Sequence, residues 1–159
     1  MIARCDRVAF VGPPSAADAA LARALAASRL GRIAHAGRDL RPYSYMSVGR
    51  AERFQAAISK PWDATRFAAV RAAAGLESYH AIRRLKRSYA RALVVALLVA
   101  TSPDVLVIEG IEELDEAATG ALDRAFELVP TVLVTCATEE TAARFGARIV
   151  SVASLEVAS

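Results

Sequence analysis

The sequence predicts an α/β fold: a mainly parallel sheet flanked by helices. Three observations predict it. The segments DVLVIE (104–109) and TVLVTC (131–136) are apolar almost throughout, as strands covered on both faces are. Helical segments alternate with strand segments along the chain, the order that builds a parallel sheet. The length, 159 residues, suits one domain spanning 1–159 with a substantial core.

Residues 8–11 read as a buried first strand and residues 16–27 as an Ala/Leu-rich helix. Residues 31–48 are irregular with extended pieces. A helix is expected over 50–58. Pro61-Trp62-Asp63 opens another, which runs to about Ala74 and stops at Gly75. A long helical segment is expected over 79–100, apolar on every side in its last part and therefore buried there. Ser102-Pro103 breaks it. Strand 104–109, helix 115–127, strand 131–136, a short helix over 138–145 and a last strand over 148–152 follow.

Composition excludes several classes. At 55% hydrophobic residues the chain is too apolar for disorder. Its longest uncharged apolar run, ALVVALLVA (92–100), is too short to cross a bilayer. The N-terminal MIARCDRVAFVG passes straight into a strand, so no signal peptide and a cytoplasmic location are expected. A net charge of +3 is too small to argue for nucleic acid. Cys5 and Cys136 read as free thiols. His35 and His80 have no ligand spacing around them, so no metal is expected.

One ordered series is more specific. It begins RVAFVGPPSAADAALARALAAS (7–28), continues GLESYHAIRRLKRSYARALVVALLVATSPD (75–104) and ends DVLVIEGIEELD, TVLVTC, EET and RIV. It resembles the ATP-binding cassette (ABC) ATPase domain, a P-loop NTPase fold, over most of the chain. Intervals are compressed, so the resemblance implies reduced antiparallel and helical subdomains, the helical one over about 50–90.

The chemistry that the resemblance implies is missing at each motif. A phosphate loop, GxxxxGK[ST], cradles phosphates with backbone N–H groups, while its Lys neutralises charge and its hydroxyl ligates Mg²⁺. Counted from Gly12, the second Gly falls on Ala17, the Lys on Asp18 and the hydroxyl on Ala19. Two unit charges about 4 Å apart at an effective dielectric near 20 interact by roughly 4 kcal/mol, and a change of sign doubles the difference. Ser15-Ala16-Ala17-Asp18 fits a capping box, with Ser15 as N-cap. The family ends its strand on Asp and Glu. Here Glu109 is followed by Gly110, and either register leaves one carboxylate. Glu112 and Glu113 read as solvent-facing acids or helix-start residues. Cys136 stands at the switch histidine and cannot replace an imidazolium. The LSGGQ signature reads Leu85-Lys86-Arg87-Ser88-Tyr89, where long side chains block a phosphate. The middle-loop Gln maps near Val48.

These losses imply no catalytic residue and no bound cofactor. Surface features then carry the reading. Arg83, Arg87 and Arg91 recur at helical spacing, flanked by Arg84 and Lys86. With Tyr89 and Asp115 they are candidate contacts for a protein partner: an intact ABC ATPase, a membrane permease or a second copy. Tyr43, Tyr45, Trp62, Tyr79 and Tyr89 crowd the middle third, either as interface anchors or as packing. The expected function is a catalytically inactive, structural or regulatory subunit, peripheral to the inner face of the membrane if a partner holds it there. The alternatives are an ATP-binding subunit with an atypical site built on Glu109 and a lysine from elsewhere, and a nucleic-acid-associated module.

Overall fold

The computed structural model describes residues 2, 6–28, 30–114 and 116–152. Cys5 and Asp115 lie outside the described residues. Five strands form one sheet: β1 (Arg7–Val11), β2 (Ile33–Ala36), β3 (Val105–Ile108), β4 (Thr131–Cys136) and β5 (Arg148–Ser151). Their order is β2-β3-β4-β1-β5, and every pairing is parallel. All five strand C-termini therefore meet on one edge, where such sheets bind ligands.

Helix α1 (Pro14–Ala26) covers one face, packing Ala17, Ala20 and Leu21 on Val8, Phe10, Val107 and Leu133. On the opposite face α4 (Arg87–Val99) packs on β2 and β3 with α5 (Glu116–Leu128) beside it, while α3 (Ala64–Ala73) packs on α4 and α5 and α2 (Val48–Ile58) on α4. A short α6 (Glu139–Arg144) precedes β5. β3 is apolar throughout, and β1 after Arg7 and β4 between its two threonines are apolar too, because both faces are dry. Asp63 caps α3 through Thr65 N (2.9 Å) and Arg66 N (3.0 Å), and Gly75 ends it at φ +64°. No described helix is long and apolar enough to cross a membrane.

The expected helix over 79–100 is shorter and starts at Arg87. Upstream, the segment 78–82 lies beside 46–49. His80 O accepts from Val48 N and Ser78 O from Gly49 N, both at 2.9 Å, while Ile82 N donates to Met46 O at 3.0 Å. Those backbone groups are taken, so they do not build a helix. A 3-10 turn, Ile82–Arg84, follows, and Leu85 is extended. Arg83, Arg87 and Arg91 thus do not form one helical stripe.

Candidate functional site

The turn after β1 is no phosphate cradle. Pro13 and Pro14 have no N–H to offer. Gly12 N is bound to Cys136 O at 3.1 Å, and the amides of Ala16 and Ala17 both donate to Pro13 O, at 3.0 and 2.9 Å. The expected capping box is absent. Pro13 is the N-cap residue, with no side-chain cap bond, and Pro14 opens the helix. Ser15 therefore lies inside the first turn, because Pro preset for helical φ starts α1 before it. Gly12 itself serves packing: a Cβ there would lie 3.1 Å from that of Val152. Ala17 is buried against the sheet and Ala19 faces solvent.

Asp18, freed from capping, turns toward β4. It accepts from Thr135 Oγ1 at 2.9 Å and from Arg38 Nη2 at 3.4 Å. Arg38 arrives from the loop after β2 and lies among the strand ends. Its Nη1 donates to Glu112 Oε1 at 2.9 Å, and its Nη2 also reaches Thr135 Oγ1 at 3.3 Å. Burial works against this charge, but the Glu112 hydrogen bond and the Asp18 and Glu112 charges outweigh it, holding Arg38 above its ordinary pKa. Gly110, at φ +62°, makes the room: a Cβ there would lie 2.1 Å from Arg38 Nη1. Gly110 N donates to Thr135 Oγ1 at 3.0 Å.

Glu109 is equally engaged. Its Oε1 meets His35 Nε2 at 2.8 Å and its Oε2 accepts from Arg38 N at 3.1 Å. Glu113 binds Arg91 at 2.8 Å and Arg87 at 3.0 Å, and Arg87 also reaches Asp39 at 3.1 Å. Glu112, which is exposed, and the half-buried Glu113 both lie in the short 3-10 turn after Gly110, and both also form ion pairs. Arg91 is 5% exposed, and besides Glu113 it binds the carbonyls of Arg38 and Glu109. Arg91 is consequently structural, whereas Arg87 stays exposed beside its ion-pair partners. Arg83, Arg84 and Lys86 remain exposed.

Mg²⁺–ATP does not fit these residues. The carboxylates of Asp18, Glu109 and Glu112 are committed to Arg38 and His35, and a guanidinium lies where they converge. No cluster of three candidate metal ligands occurs among the described residues. Cys136 is buried at the end of β4, with its Sγ 3.4 Å from Thr138 O. Burial first, then the Glu112 charge, pushes its thiol up from 9.0 to about 11, so it is protonated and inert at neutral pH.

Val48, the expected middle-loop position, is wholly buried at the start of α2. The residue this segment sends into the site is Arg38. Arg38 and Thr135 escape the sequence reading, and His35 enters it only as a rejected metal ligand. Thr135 had a signal, a hydroxyl in an otherwise apolar strand that must find partners when buried. The aromatic group divides: Tyr43 packs edge-on to Phe54, Trp62 lies against Phe67, and Tyr45 and Tyr79 stand exposed.

No protein-family model matches the chain, and no curated protein matches it. Solved structures do. An ATP-binding cassette in a dimeric post-hydrolysis state, bound to ADP and Pi, is 15% identical with a TM-score of 0.68, over 95% of this chain and 82% of that one. A putative ABC transporter ATP-binding protein from Pyrococcus furiosus is 14% identical with a TM-score of 0.68, over 87% and 82%. The cbiO1 protein of Clostridium perfringens, part of the ABC transporter complex cbiONQ, is 16% identical with a TM-score of 0.64, over 86% and 69%. At such identities the likeness is one of fold alone: a mainly parallel sheet flanked by helices, as in those ABC ATP-binding structures.

Proposed function

We propose that this chain, acting as one domain, is a catalytically silent cassette that works as a structural or regulatory subunit through protein–protein contacts. One observation carries the reading: Arg38 joins Asp18, Thr135 and Glu112 in an internal cluster at the strand ends, where the phosphate loop would hold its ligand. The Pro13-Pro14 turn supports it by withholding amides from a polyanion. A body that meets its own charges in this way folds without nucleotide, and its value to a cell lies in its surface. The partner is an intact ABC ATPase, a membrane permease or a second copy, and the place of work is cytoplasmic, at the membrane when a permease holds it there.

Isolation of the chain at its native level from its own cells tests this. Recovery in a stable complex with another protein, or as a dimer, is expected. Recovery only as a lone monomer contradicts the proposal.

A further inference from the structure

Away from the strand ends, an open groove lies between the end of α3 and the start of α4. Leu76, Leu85 and Tyr89 make its apolar part, and Tyr79, Arg84 and Lys86 stand along it. Tyr79 is 77% exposed and packs edge-on to His80, ring centroids 4.8 Å apart. Arg84 and Lys86 are exposed, as is the neighbouring Arg83. None of the three takes part in an ion pair among the described residues. Arg87 and Arg91, close by, are both paired with Glu113, and Arg87 also with Asp39. The contrast isolates the free cations at this groove.

Among the described residues no carboxylate lines the groove. Glu77, the nearest acid in sequence, is turned to Arg71 at 3.7 Å. His80 accepts from Glu77 N at Nδ1 (3.0 Å), so in its neutral form Nε2 carries the proton. The polar side chains available are therefore donors: a guanidinium, an ammonium, an imidazole N–H and two phenols. The complement is an anion with an apolar body.

We propose that this groove docks an acidic segment of a partner protein. An aromatic or aliphatic side chain of that segment packs on Leu76, Leu85 and Tyr89, and carboxylates flanking it pair with Arg84 and Lys86. The inference rests on the reading that the chain works through protein contacts. A peptide suits the site better than a compact polyphosphate. The cations are spread from the Ile82–Arg84 turn to the extended Lys86, with no array of backbone amides gathered on one point.

A fluorescein-labelled peptide of glutamates with two phenylalanines is the probe, with a lysine-for-glutamate counterpart and ATP as controls. Anisotropy should show saturable binding of the acidic peptide alone. Arg84→Glu with Lys86→Glu should weaken it by about tenfold or more, and Tyr79→Ala by about fivefold, with unchanged melting because these side chains are exposed. The swap Arg84→Lys with Lys86→Arg should restore most of it. Absence of binding, equal binding by the double-glutamate variant, equal binding of the lysine peptide, or displacement by ATP would each overturn the proposal. If the double-glutamate variant still enters the native complex, the groove is not the dock, while the protein-contact reading stands.

Discussion

At the scale of single residues, the molecule turns on Arg38. Its guanidinium answers Asp18 and Glu112, and its main-chain N–H answers Glu109. Removing it leaves carboxylates facing one another in a half-buried site. Arg38→Ala should therefore cost about 1–3 kcal/mol in urea unfolding. Arg38→Lys should recover only part of that, since a point charge cannot reach Asp18, Glu112 and Thr135 together. Full stability in Arg38→Ala would show that the cluster is ornamental. Cys136 sets a pH limit. Its folded pKa, about 11, lies above the unfolded 9.0, so the fold keeps a proton that the unfolded chain releases. Stability is unaffected below 9.0 and falls as pH rises from there toward about 11. The fall should be shallower in Cys136→Ala. The acid at position 18 was legible in the sequence, but its partner was not. Asp18 and Arg38 sit on α1 and the loop after β2, and only the assembled sheet makes them neighbours. A local pattern reads the capping box instead.

At the scale of elements, legibility followed burial. β1, β3 and β4 are buried and largely apolar and so are readable as strands, whereas β2 alternates exposed and buried residues over four positions and reads as irregular. The helix expected over 79–100 is shorter because segment 78–82 pairs its backbone with 46–49, a non-local choice that propensity does not record. The turn from β3 toward α5 depends on Gly110, whose left-handed φ and missing Cβ let Arg38 through. Gly110→Ala should cost about 1–3 kcal/mol, part of it backbone strain and part the collision with Arg38. In an Arg38→Ala background the collision disappears, so the double variant should be less destabilised than the sum of the singles. Simple additivity would mean that Arg38 does not occupy that space.

At the scale of the whole molecule, the fold is similar to that of the solved ATP-binding cassettes. Five parallel strands are covered on both faces, and their C-termini converge on one edge. Fold class and strand sequence were legible because the sheet interior is dry and repetitive in its demands. The site's emptiness of motifs was legible too. What fills it was not, because a charge cluster drawn from α1, the loop after β2, the turn after β3 and β4 exists only in three dimensions. A ligand that binds only the folded state raises stability with concentration, so a site closed by its own side chains predicts a melting temperature indifferent to ATP and Mg²⁺. The most direct measurement is equilibrium binding of labelled ATP to the purified chain at millimolar Mg²⁺. The account predicts no saturable binding; saturable binding that disappears in Glu109→Gln would contradict it.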